Sequence, residues 1–132
     1  MLFIEISRYR LYILTMSKGK LIEIDAQTVR DWLEREEAVL VDVREAEEYA
    51  EERIPGTLPF PLSGFDPDNF PNEAGKKTVL TCFIGHRSSE AAAQLFAAGY
   101  DEAFQLDGGL FAWKEAGFRS EERRGGKEGR SR

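Results

Sequence analysis

Thr78-Val-Leu-Thr-Cys82-Phe-Ile-Gly85-His-Arg87-Ser-Ser89 places an apolar strand directly before a helix start, and the fold is read outward from it. Thr78 to Cys82 reads as a strand buried on both faces. Ser88 to Ala98 reads as a helix whose Ala91, Ala92, Ala93, Ala97 and Ala98 permit close approach to a sheet, ended by Gly99 at the left-handed cap position. Upstream, Ala38-Val-Leu-Val-Asp-Val43 is a second near-continuous apolar run, and Leu21-Ile-Glu-Ile24 a shorter one. Between those two, Asp25 caps a helix with Ala26, Val29, Trp32 and Leu33 on one face. After Val43 comes a short acidic helix with Ala46, Tyr49, Ala50 and Arg53 on one side and Glu47, Glu48, Glu51 and Glu52 left to solvent. Pro55-Gly56 turns into Thr57-Leu-Pro-Phe60, whose proline restricts it to a short or edge strand, and residues 62–77 read as a loop with one helical turn at most. Downstream, Ala103-Phe-Gln-Leu106 is a strand, Asp107-Gly-Gly109 a turn, and Leu110 to Ala116 a helix closed by Gly117. Strands alternating with helices give an α/β fold with a mainly parallel sheet.

The 132 residues carry a net charge of −6, one Cys and one His. A single Cys permits no internal disulfide, and one Cys with one His cannot supply a four-ligand zinc cage, so no metal is expected. The acidic balance argues against a phosphate-backbone binder, and nucleic acid is not expected as a partner. Charge is unevenly spread. Residues 21–118 hold 8 basic against 20 acidic side chains, whereas residues 1–20 hold 4 against 1 and residues 119–132 hold 6 against 3.

The sequence therefore divides into an N-terminal extension (1–20), a domain (21–118) and a basic tail (119–132). The extension is broken by Glu5, Arg8 and Arg10, too polar for a signal peptide or membrane span, and Met16 before Ser-Lys-Gly-Lys20 reads as the natural start. The tail has no aliphatic or aromatic residue after Phe118 and is expected to be disordered and non-native. A cytoplasmic domain without a membrane partner is the expectation.

Cys82 lies at the carboxyl end of its strand, where open α/β sheets place ligands. The turn after it is expected to direct the N–H groups of residues 83–88 toward a common centre, with the positive end of the following helix dipole behind them. Both features favour an anion, and a thiolate is one. Gly85 lets the loop close tightly. Taken alone, Cys82 could equally be an inert buried thiol. His86 is open between an exposed loop residue, a substrate-orienting group and the base of a Cys/His pair. Arg87 either binds an anionic donor or pairs with a carboxylate.

The domain resembles a single rhodanese domain. Leu40-Val-Asp-Val-Arg-Glu45, Arg53-Ile-Pro-Gly-Thr57, Cys82-Phe-Ile-Gly-His-Arg87 and Leu106-Asp-Gly-Gly-Leu-Phe-Ala-Trp-Lys-Glu-Ala-Gly117 are similar to the four motifs of that family, in its order. The resemblance implies a rhodanese-like fold, a five-stranded mainly parallel sheet flanked by helices on both faces. It also implies a sulfurtransferase without a cofactor, in which Cys82 takes a sulfane sulfur from thiosulfate or a persulfide and passes it to a thiol or cyanide acceptor. Phe83, Ile84, Gly85, His86, Arg87 and Ser88 would then form the persulfide-binding loop, with Asp42 and Arg44 supporting it. Arg53 stands where the family commonly has His, a change expected to touch packing or surface charge.

Three other readings compete. A persulfide carrier that works only when docked to a protein sulfur acceptor would use the acidic surface for recognition. Related phosphatases and arsenate reductases place His before the Cys and five residues before the Arg; Thr81 and four intervening residues make a tighter loop, suited to one sulfur atom. A Cys/His hydrolase lacks a visible third triad member.

Overall fold

Alternation along two central strands builds the core. The structure, a computed structural model, describes residues 19–123, so the expectations for residues 1–18 and 124–132 lie outside the described residues. Strand β1 (Lys20–Ile24) leads to helix α1 (Ala26–Glu34), strand β2 (Ala38–Asp42), helix α2 (Ala46–Glu51), and the two-residue strands β3 (Glu52–Arg53) and β4 (Leu58–Pro59). Strand β5 (Lys77–Thr81), helix α3 (His86–Ala97), strand β6 (Glu102–Leu106), helix α4 (Gly109–Glu115) and strand β7 (Glu121–Glu122) follow. Five strands form one parallel sheet in the order β1-β6-β5-β2-β4.

Successive residues on a strand point to opposite faces. Leu40, Val79 and Leu106 join Val29 of α1 with Leu110 and Trp113 of α4 in one cluster. Val41, Leu80 and Ala103 join Ala91, Ala92 and Leu95 of α3 in the other. Helices thus cover both faces, and β2 and β5 read as continuous apolar runs because neither face is wet. Each fully buried Leu or Val contributes on the order of 1.5–3 kcal/mol relative to exposure. The loop after β4 contains two 3₁₀ turns (Leu62–Gly64 and Pro67–Asn69), where the sequence reading allowed one. Its rings Phe60, Phe65 and Phe70 pack edge-on or tilted against one another at 5.2–5.8 Å, and Tyr100 meets Phe70 at 6.1 Å. This cluster extends the α3-side core.

Order continues beyond the boundary expected at Phe118. β7 pairs antiparallel with β3, the Arg123 N–H donates to Glu51 O, and Trp113 Nε1 donates to Arg119 O at 2.8 Å. Arg53 and Glu121 form an ion pair at 3.2 Å. The expectation of disorder from Arg119 weighed only apolar burial. Residues 119–123 are held instead by backbone hydrogen bonds and ion pairs to β3 and α2, which composition does not reveal.

Candidate active site

β5 ends at Thr81, so Cys82 is the first residue past the sheet, 1% exposed, and its turn crosses to α3 in three residues. That crossing needs Gly85, whose φ of 121° lies where residues with a Cβ are strained. Because Gly85 is the N-cap, α3 starts at His86 rather than Ser88. His86, Arg87 and Ser88 therefore belong to the first helical turn, a correction to their placement in the loop.

The sulfur is met by donors. Gly85 N–H donates to Cys82 Sγ at 3.0 Å and Ser88 N–H at 3.4 Å, while Ser88 Oγ lies 3.6 Å away. Two N–H groups, rather than the whole run from 83 to 88, converge on it. The loop carbonyls point the other way, where Leu110 N–H donates to Cys82 O and Phe111 N–H to Phe83 O. The first turn of α4 thus fixes which side of each peptide faces the sulfur.

Phe83, Ile84 and Phe111 stand at the loop's surface, 43%, 48% and 50% exposed, with the two Phe rings 6.1 Å apart. His86 is also exposed, and its side chain has no hydrogen-bond or ion-pair partner among the described residues. It makes no contact with Cys82 of the kind a Cys/His pair requires.

Arg87 spans the gap to α2. Its Nη1 and Nη2 donate to Glu48 Oε1 and Oε2 at 2.7 and 3.0 Å, a two-pronged bond that engages the guanidinium with protein. The Glu48 hydrogen bond, aided by the negative charges of Glu48 and Asp42, raises the Arg87 pKa further. Glu48 is held below the ordinary carboxylate range, first by the Arg87 hydrogen bond. Glu48 is thus no mere solvent-facing residue, contrary to the helical-face reading. Glu52 likewise bonds Lys114 and Ser120.

Asp42 and Arg44 form a second, buried pair. Arg44 Nη2 donates to Asp42 Oδ2 at 2.8 Å and to Glu52 O at 2.6 Å, while Nε reaches Asp42 Oδ1 at 3.0 Å. Arg44 therefore ties the end of β2 to the end of α2. Through Glu48 it supports Arg87 at a distance.

The Glu48–Arg87 pair has a testable pH signature. A depressed carboxylate stabilises the fold above its unfolded value of 4.5, and that contribution is lost as pH falls through the lower folded value. Both side chains are more than a third exposed, so Glu48→Gln is expected to cost below about 1 kcal/mol at pH 7. In urea titrations the difference should vanish at acid pH; a constant gap from pH 7 to pH 3 would contradict the pairing.

Two residues of the site escaped the sequence reading. Gln105 is buried at 2% exposure and bonds Ser88, while its amide reaches Glu23. A polar residue inside the apolar stretch Ala103-Phe-Gln-Leu106 was the available signal. Among the described residues, no group of three or more His, Cys, Asp or Glu could hold a metal, and no helix is long and apolar enough to cross a membrane.

The family model described as Rhodanese-like domain matches residues 25–116. The chain belongs to the rhodanese-like family. Within it, slr1261 of Synechocystis is 40% identical over 96 residues, covering 73% of this chain; the chain spans about half (54%) of that relative's length. Thiosulfate sulfurtransferase GlpE of Pseudoalteromonas translucida is 29% identical over 91 residues, 69% of this chain and 86% of the relative. The crystal structure of Alr3790 from Anabaena superposes with a TM-score of 0.65 at 27% identity, covering 75% of this chain and 91% of that one. The rhodanese-like fold, with its five parallel strands and two helical layers, is thus the one the four motifs implied.

Proposed function

We propose that this rhodanese-like chain is a cytoplasmic sulfurtransferase that carries a sulfane sulfur on Cys82. The observation that carries the reading is the Cys82 sulfur itself, held at a strand-to-helix turn by the N–H groups of Gly85 and Ser88. The thiolate attacks the outer sulfur of the donor. That sulfur's bond to the rest of the donor breaks, and its electron pair leaves with sulfite, when the donor is thiosulfate, or with a thiolate, when it is a persulfide. Cys82 is then a persulfide anion, which the same N–H groups stabilise as they do the thiolate. A thiol or cyanide acceptor attacks the terminal sulfur, takes it, and returns Cys82 to the thiolate.

Arg87 is occupied by Glu48, and the loop surface is apolar at Phe83 and Ile84. A thiol persulfide therefore suits this site better than the thiosulfate dianion. The exposed Phe83, Ile84 and Phe111 also favour a second reading, a persulfide carrier that docks on a protein acceptor. Asp42 and Arg44 support the site from behind, with His86 outside the chemistry.

Intact mass after incubation with thiosulfate, or with cysteine persulfide, tests these readings. A gain of one sulfur atom, absent in Cys82→Ser, is expected, with persulfide loading faster by about tenfold, the scale on which charge alters encounter rates. Steady turnover with cyanide identifies the enzyme, and stoichiometric loading without turnover the carrier. No gain from either donor would defeat both.

A further inference from the structure

The guanidinium beside the Cys82 turn is held by an internal anion. Arg87 sits in the first turn of α3, next to Ser88, whose N–H donates to Cys82 Sγ, and its Nη1 and Nη2 grip both carboxylate oxygens of Glu48 at 2.7 and 3.0 Å. Glu48 is itself fixed. Glu45 N–H donates to Glu48 Oε1 at 3.0 Å in a reciprocal cap at the start of α2, and the Glu45 carboxylate accepts from Ser63 N–H and Oγ at 3.2 and 2.7 Å. The carboxylate that meets Arg87 is therefore placed by the fold before any substrate arrives.

Charge then decides which sulfur donors suit this mouth. Thiosulfate carries two negative charges, and its sulfonate end is the kind of anion that a guanidinium binds with two parallel N–H bonds. Here those two positions are filled by a carboxylate. A tethered partner at bonding distance outcompetes a free anion, because its effective concentration is set by the fold and not by supply. Glu48 stays charged at neutral pH, since the Arg87 hydrogen bond holds its carboxyl below the ordinary range. The other N–H groups of the guanidinium can still meet a substrate, yet the pair as a whole carries no net charge. Nearby cations are committed as well, Arg44 to Asp42 and Lys114 to Glu52.

We propose that Glu48 is a specificity-determining residue that, by neutralising Arg87, turns the site away from dianionic sulfur donors and toward persulfides of small thiols. Cysteine persulfide suits that setting, because its ammonium group offsets one of its negative charges. Glu48 acts on the donor through Arg87. Selectivity by donor charge is thus set from α2, an element outside the cysteine turn. The inference rests on Cys82 being the sulfur carrier.

The test compares the rates of Cys82 mass gain from thiosulfate and from cysteine persulfide in the full chain and in its Glu48→Gln variant. The substitution keeps the shape of the side chain and an oxygen for the Glu45 N–H, and removes the charge. Thiosulfate loading should rise about tenfold, the lower end of what electrostatic steering supplies, while persulfide loading changes little. The gained rate should fall again as salt is raised, since the freed guanidinium is partly exposed and therefore screened. Glu48→Ala, which removes the amide as well, should raise the ratio of thiosulfate to persulfide rates at least as far. In an Arg87→Met background Glu48→Gln should leave thiosulfate loading unchanged. An unchanged ratio of the two rates in Glu48→Gln overturns the proposal. So does a gain that survives Arg87→Met, which would mark a general charge effect. A purely structural role would slow both donors together and leave the ratio in place. Persulfide loading of the parent with an unchanged ratio in the variant would reject the role of Glu48 alone, and no loading from either donor would reject the sulfur carrier with it.

Discussion

Gly109→Ala is expected to destabilise the protein by about 2–4 kcal/mol and to slow persulfide loading by about a hundredfold. Gly109 opens α4 with φ at 58°, and a Cβ there would lie 2.5 Å from Cys82 O, 2.6 Å from Phe83 O and 2.7 Å from Phe83 C. All three contacts are backbone, so no side chain can swing aside. The cysteine turn and the start of α4 must separate by about 0.5 Å or more to restore van der Waals distance. Separation strains the bonds from Leu110 and Phe111 N–H that hold the loop carbonyls away from the sulfur. Left-handed backbone at a non-glycine residue costs about 1–2 kcal/mol, and each weakened bond about 0.5–1.5 more. Rate suffers comparably, because a nucleophile displaced by about 1 Å loses about a hundredfold. Urea denaturation and the rate of mass gain measure the two effects. A variant matching the parent in both would refute the rigid coupling of loop and helix.

Arg44→Met is expected to cost about 3–5 kcal/mol, the usual result of stranding one partner of a buried ion pair. Asp42 is 3% exposed and would lose its counter-ion, while Glu52 O would lose a donor at 2.6 Å. Against a total stability of about 5–15 kcal/mol, that is a large fraction. α2 would loosen and release Glu48 from Arg87. Adding Asp42→Asn should recover part of the loss, since the stranded charge goes while the uncapped carbonyls remain. Thermal melts of both variants check this; a double variant no more stable than Arg44→Met would place the cost entirely in the lost caps.

The central sheet was legible because Ala38-Val-Leu-Val and Thr78-Val-Leu-Thr are buried on both faces and advertise it as unbroken apolar runs. The position of Cys82 was legible because Gly85 marks a tight turn between that strand and the helix after it. The polar frame of the site was not. Arg87 meets Glu48 across 39 residues and Gln105 meets Glu23 across 82, separations at which single-sequence periodicity carries no information. Glu48 was read as a wet residue because helical spacing assigns a face and says nothing of a cation arriving from elsewhere. The order of residues 119–123 was hidden for a related reason, since main-chain pairing to β3 leaves no trace in composition.

The two-residue strand β4 closes one edge of the sheet. Phe60 N–H donates inward to Asp42 O, so the nitrogen of Pro59, one residue earlier, faces outward, and it has no hydrogen to offer. A foreign strand approaching that edge finds no donor at Pro59 with which to begin a ladder. The same residue that shortens the strand therefore also withholds a donor from edge-to-edge pairing at that margin.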